Sequence, residues 1–441
     1  MAGPSTNRLV DRDLQCSIQE SGMTLPRHRA NDKTATIDDL PTELFHNVLE
    51  HLECHDQDTL ASCTLVCRDW LDISQQHLFS ELHVLRSCDE NFQCLIDWLE
   101  QHTAHAGYVR TLSLEARLVS VPPQFSLMPS LSLDTLSHLL HIIPNLQCLR
   151  LHQLKICPAR SLPTPAPTPY PTPGQYSLKH MEYEKCLCEL NRTFELLSWF
   201  HIDHLDYDPV FSDAEDPTVE PGDHKLDVHS LCVSPIAEDL LAAFRALQQF
   251  VRPNMLRSFR YPALGKCVSP LPVADFLRYA GQSLVDLDLC TTPEDDCLIL
   301  PQLPSLQVFR YHTFVPLLAA PGAAMAEHQA TFAPFRDVLL PRLPADLERL
   351  VLYVPYGDPS VVPGPDGTPL WGLERALTAR FPGLRKLGFI FPDLPGDLAA
   401  ATAAMGACFP ALRDRGMLET SVRTWEMECR EWDIYAYLHD C

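Results

Sequence analysis

One short apolar pattern returns nine times along the chain: an apolar residue, two variable ones, an apolar residue, one variable, and a third apolar residue. The copies are Val109/Leu112/Leu114, Leu146/Leu149/Leu151, Ile202/Leu205/Tyr207, Val228/Leu231/Val233, Leu256/Phe259/Tyr261, Leu284/Leu287/Leu289, Leu306/Phe309/Tyr311, Leu347/Leu350/Leu352 and Leu384/Leu387/Phe389. In an extended segment successive side chains face opposite sides, so the second and third apolar positions share one side and the residue between them faces the other. The chain is thereby committed to many short strands with one apolar and one polar face. Several copies follow a stretch of helical period, as in DTLSHLLHIIPNLQCLRL, VADFLRYAGQSLVDLDL and ERALTARFPGLRKLGF, which predicts a helix before those strands.

This helix, turn and strand unit resembles a leucine-rich repeat, in which strands line a concave face and helices a convex one. Copies in the middle of the array are spaced by 26 to 28 residues and others by up to 56, so the repeats are degenerate and interrupted by large loops. A doubly wound sheet would also alternate helix and strand. Its strands, buried on both faces, would read as nearly continuous apolar runs, whereas here polar residues separate the apolar ones. The expected fold is α/β: an N-terminal three-helix module, then an irregular leucine-rich-repeat solenoid over residues 85–441. Ser113, Arg150, Asp206, Cys232, Arg260, Asp288, Arg310 and Val351, with neighbours His152, Asp286, His312 and Tyr353, are expected to point from the concave face into solvent. The candidate target contacts are Arg150, Asp206, Arg260, Asp288, Arg310 and Tyr353. Mixed Arg and Asp on adjacent repeats favours a charge-matched protein partner.

Residues 39–82 read DLPTELFHNVLEHLECHDQDTLASCTLVCRDWLDISQQHLFSEL. Asp39 is placed to cap a helix with Pro41 in its first turn. Leu44, Phe45, Val48, Leu49 and Leu52 make an apolar stripe wide enough for two partners. A second stripe runs through Leu60, Cys63, Cys67, Trp70 and Leu71, with Leu65 and Val66 on its flank, and a third turn ends at Leu78 and Phe79. So small a module buries little apolar area and is expected to lean on something else. Leu-Pro-x-Glu-Leu, Val48-Leu49, Leu-Val-Cys-Arg-x-Trp and the closing Leu-Phe, in this order, resemble an F-box, here residues 37–84. Fungal and animal F-box proteins often carry leucine-rich repeats behind the box, and this order of parts is similar.

The resemblance implies binding to a Skp adaptor, and through it to cullin and RING subunits of an SCF-type ubiquitin ligase. Matched position by position, the adaptor-facing residues would be Leu40, Pro41, Leu44, Val48, Leu49, Leu52, Leu65, Val66 and Trp70, some of them packed inside the box. The repeats would then bind a target protein. The chain would be a non-catalytic substrate receptor, which speeds transfer by holding its target near the loaded enzyme. An adaptor-bound scaffold that delivers nothing for degradation is the alternative.

The remaining features narrow the chemistry. A formal charge of -23 disfavours a nucleic-acid surface, which needs Lys and Arg to neutralise phosphates. Seventeen cysteines are odd in number and irregularly spaced, no apolar signal segment opens the chain, and no run approaches the ~18 apolar residues that span a bilayer. Reduced thiols, no membrane association and a cytoplasmic or nuclear location are expected. No phosphate-cradling glycine loop or G-x-S-x-G elbow occurs. The Cys63/Cys67, Cys186/Cys188, His102/His105 and His201/His204 pairs do not complete a metal set, so no cofactor or metal is expected. A disordered leader is expected over 1–36, solvated loops near 158–177, 208–225 and 355–371, and a C-terminal cap around Trp425 and Trp432.

Overall fold

The structure, a computed structural model, describes residues 41–53, 57–86, 92–116, 128–158, 171–211, 225–234, 240–262, 271–291, 299–313, 335–353, 373–392 and 398–423. The expected leader, the 355–371 loop, the cap beyond residue 423 and most of the other two loops lie outside these residues.

Three helices come first: α1 (Thr42–Glu53), α2 (Gln57–Cys63) and α3 (Arg68–Leu78). The Pro41 carbonyl accepts from the amides of Leu44 and Phe45 at 3.0 and 3.1 Å, so Pro41 sits one place before α1 rather than in its first turn. The second stripe is split between two helices. Thr64 Oγ1 donates to the Ala61 carbonyl at 2.6 Å, competing with the helix for its acceptors, and Cys67 is extended at φ -157 before α3 begins. Cys67 is exposed there, not packed. Phe45, Leu49 and Leu60 form a small core of their own, ringed by Leu52, Cys63, Trp70, Ile73 and Leu78. The Phe45 and Trp70 rings lie 4.3 Å apart.

A sheet follows, made of β1 (Glu81–Arg86), β2 (Thr111–Ala116), β3 (Ser130–Ser132), β4 (Cys148–His152), β5 (Lys155–Cys157), β6 (Tyr176–Cys188), β7 (Phe200–Phe211), β8 (Val228–Val233), β9 (Ser258–Pro262), β10 (Asp286–Thr291), β11 (Val308–Thr313), β12 (Arg349–Tyr353), β13 (Lys386–Pro392) and β14 (Leu418–Arg423). Twelve strands pair in chain order, β3 and β5 forming a short side ladder against β6. Every pairing is parallel.

All nine copies of the apolar pattern fall on or just before strands of this path. Their middle residues stand in register as one column: Leu82, Leu112, Leu149, Met181, Leu205, Leu231, Phe259, Leu287, Phe309, Leu350, Leu387 and Leu418. Three members come from strands outside the nine copies. Phe79/Leu82/Val84 supplies β1, and Leu178/Met181/Tyr183 supplies β6, which fills the longest gap in the series. In β14 the pattern decays, with Thr420 opposite Phe389.

Strand β6 holds its apolar side inward by a bulge. Leu178, Met181 and Tyr183 are buried, and so are Cys186 and Cys188, although strict alternation would turn the cysteines outward. The pairing with β7 slips between Glu184 and Cys186, and the extra residue, Lys185, takes φ 50. One inserted residue reverses the parity of all that follows. Strand β7 in turn runs past the expected start of the acidic loop, and Asp208 is buried in it.

Helices Leu133–Ile142, Leu190–Ser198, Leu240–Phe250, Leu271–Ala280, Leu373–Arg380 and Leu398–Cys408 lie between strands, and the buried residues on them join the strand residues in one large core. Ser132 caps the first of these, its Oγ accepting from the Thr135 amide at 3.1 Å. Residues 299–307 connect without a helix, Leu300, Leu303 and Leu306 filling the place of one. Leu231, fully buried in the centre of the column, sets the scale of this packing. Leu231→Ala is expected to cost about 2–5 kcal/mol in urea unfolding, and Leu65→Ala, at a side chain 85% exposed, less than about 0.5 kcal/mol.

Candidate functional site

Two surfaces stand out, one on the helical module and one on the sheet face opposite the large core. On the module, α1 turns Phe45 and Leu49 inward and leaves Leu44 and Val48, one helical turn apart, about half exposed. The turn after α2 presents Leu65 and Val66. These four account for four of the nine large hydrophobics exposed among the described residues, within a segment that is a small part of the chain. Pro41 is also exposed. Of the other residues expected to face an adaptor, Leu49 is buried, Leu52 and Trp70 are half-buried against the small core, and Leu40 lies outside the described residues.

On the sheet, parallel register stacks the residues between the apolar positions into a second column: His83, Ser113, Arg150, Glu182, Asp206, Cys232, Arg260, Asp288, Arg310, Val351, Gly388 and Glu419. Opposite charges alternate along part of it and pair. Arg150 binds Glu182 at 3.0 Å and reaches across to Glu81 at 2.8 Å. Glu182 also meets His152 at 3.0 Å, and Asp206 meets His180 at 2.9 Å and His204 at 3.1 Å. Further along, Asp288 meets His312 at 2.8 Å and Arg260 at 3.7 Å, while Arg310 binds Asp286 at 2.5 Å.

Burial works against ionisation of Asp206, but the hydrogen bonds from His180 and His204 outweigh it and hold the carboxyl far below its usual range. Burial likewise opposes ionisation of Asp288. The charge and hydrogen bond of His312, then Arg260 and Arg310, overcome it.

The predicted set is therefore not uniformly presented to solvent. Arg150, Asp206, Arg260 and Arg310 are partly exposed, but Asp288 is 8% and Tyr353 6% exposed. Tyr353 stacks on His312 with 3.2 Å between ring centroids, and Val351, also buried, packs beside Gly388. Large side chains at neighbouring ladder positions cover one another here, which alternation along a single strand cannot reveal. The three arginines do not converge. Arg150 and Arg260 stand four strands apart, roughly 19 Å at an ordinary spacing of about 4.8 Å, and each is already matched by a carboxylate.

Glu81, Glu182, His180 and His204 complete the ladder, and sequence reasoning placed none of them on this face. The Leu178/Met181/Tyr183 copy was the available signal. His204 pairs with His180 across strands rather than with His201, whose Nδ1 lies 3.5 Å from Asp227. Cys186 and Cys188 are free thiols in the core. Burial pushes Cys188 up to about 11 and Cys186 higher still, so both stay protonated and unreactive. No helix among the described residues is long and apolar enough to cross a membrane.

His152 offers a test of the ladder through pH. Burial lowers its affinity for a proton, but Glu182 and Glu184 outweigh burial and raise its pKa above 6.5. A raised folded-state value contributes stability that is complete below the unfolded pKa and is lost as pH rises through the folded one. His152→Gln is therefore expected to be more destabilising at pH 6 than at pH 9 in paired thermal melts.

No curated protein matches the chain. A family model described as F-box-like matches residues 37–84, the three-helix module that carries the exposed Leu44, Val48, Leu65 and Val66, and F-box proteins are generally non-catalytic adaptor subunits.

Proposed function

We propose that this chain is the target-binding subunit of an SCF-type ubiquitin ligase, with the F-box-like module docking on a Skp adaptor and the rest presenting a target. The observation that carries the reading is the apolar surface on that module. Leu44, Val48, Leu65 and Val66 are large, apolar and exposed, while Phe45 and Leu49 on the same helix close its own core. A module with so small a core is stabilised further by burying those side chains against another polypeptide.

The second half of the reading takes the sheet as a leucine-rich-repeat solenoid of the degenerate, fungal F-box type. Support comes from the pattern Leu-x-x-Leu-x-Leu on successive parallel strands with helices on one side. On this reading the polar ladder is the concave face, and Arg150, Asp206, Arg260 and Arg310 are its accessible charged contacts for a target protein. Cullin and RING subunits join through the adaptor and supply the chemistry. The compartment that fits is the cytosol or the nucleus, where the many thiols stay reduced.

Co-purification of the adaptor with the wild-type chain and with Leu44→Glu plus Val48→Glu is the direct test. Recovery of adaptor is expected to fall more than tenfold while the unfolding midpoint changes little, because both side chains are exposed. Equal recovery from the two would remove the adaptor contact and the reading with it.

A further inference from the structure

The open face of the sheet brings two imidazoles and a carboxylate to one point. Register puts His180 of β6 beside His204 of β7, and Glu182 beside Asp206. His180 Nε2 lies 2.9 Å from Asp206 Oδ2 and His204 Nε2 lies 3.1 Å from Asp206 Oδ1. One ligand atom from each of the three residues falls within 4.8 Å of the others. The remaining ring nitrogens are engaged outside the cluster: His204 Nδ1 with Ser230 Oγ at 2.7 Å, and His180 Nδ1 with Glu182 Oε1 at 3.6 Å. Without metal each Nε2–H donates to Asp206; with its proton moved to Nδ1, beside Glu182 or Ser230, each imidazole instead turns an Nε2 lone pair toward the same point as the carboxylate. A divalent cation at this point would meet two imidazole nitrogens and one carboxylate oxygen.

We infer that His180, His204 and Asp206 form a binding site for a first-row divalent cation of the zinc type, with Ser230 and Glu182 orienting the two imidazoles. Two nitrogens and a carboxylate suit zinc and its neighbours, whereas calcium and magnesium take oxygen ligands. Metal–ligand bonds of about 2.0–2.1 Å in a tetrahedron place ligand atoms roughly 3.3 Å apart. Each imidazole nitrogen is already near that distance from one oxygen of Asp206, His180 from Oδ2 and His204 from Oδ1, so binding through a single oxygen needs the carboxylate to turn and the two rings to approach each other. The ligands sit on paired strands, and Glu182 is itself fixed by Arg150 and His152. The three side chains are 28%, 40% and 39% exposed, which leaves a fourth coordination position open to water or to a donor on an incoming protein. The inference is independent of the ligase reading, since the site needs no adaptor.

The test is titration of the metal-free full-length chain with Zn2+ alone, with Co2+ absorption as a report of coordination geometry. Wild type is expected to take one equivalent that gives tetrahedral Co2+ bands. His204→Ala and the isosteric Asp206→Asn should each weaken that equivalent at least ~10-fold, and Ser230→Ala about 10-fold through the outer contact. His83→Ala, elsewhere on the same face, should leave it unchanged. Thermal melts without metal identify any variant that fails to fold, and Asp206→Asn decides the matter if the histidine variant does. Absence of a stoichiometric site in wild type, or equal affinity in wild type and folded Asp206→Asn, would overturn the assignment.

Discussion

The structure depends on one constraint: each strand of a parallel ladder can satisfy its backbone only beside two neighbours, and can bury its apolar side only under a shared layer. The column from Leu82 to Leu418 is the result. The strands and helices bury their apolar residues in one shared core, so each element depends on its neighbours along the sheet. The first and last described strands are the least buried. Strand β1 alternates exposed and half-buried residues, leaving Leu85 47% exposed, and β14 replaces an apolar position with Thr420.

The helical module is joined to this array with little slack. Helix α3 ends at Leu78 and β1 begins at Glu81. Between them Phe79 packs its ring edge-on to His105 at 4.4 Å and near Trp98 at 5.9 Å. The Ser80 hydroxyl closes the helix end by donating to the His77 carbonyl, while the Ser80 carbonyl accepts from Arg110 and Thr111 at the start of β2. A partner docked on α1 would therefore orient the sheet as well.

The polar face balances two opposing terms. Taking Asp206, Asp288 and Glu182 partly out of water costs free energy, and pairing with His and Arg returns it. The more exposed of these pairs contribute about 0–1 kcal/mol each, and at the buried Asp288–His312 pair desolvation offsets much of the attraction. On the proposed reading the ladder's consequence would be selectivity, because a partner would have to replace existing ion pairs with equally good ones. Removing one member, by contrast, strands its neighbour in a half-buried site.

Much of the fold was legible in the chain itself, because the repeated apolar spacing reports the inward face of each strand directly. On the helical module the motif resemblance named Leu44, Val48, Leu65 and Val66 together with Leu49, Leu52 and Trp70, and only the packing separated the four exposed side chains from those on the small core. Strand β6 escaped because Met181 stands at the middle position, where the nine copies carry Leu or Phe, and its bulge at Lys185 breaks the period. The burial of Tyr353 and Asp288 and the meeting of His180, His204 and Asp206 were decided only in three dimensions. Spacing along one strand says which way a side chain points, but which residue stands beside it depends on register with a strand many residues away.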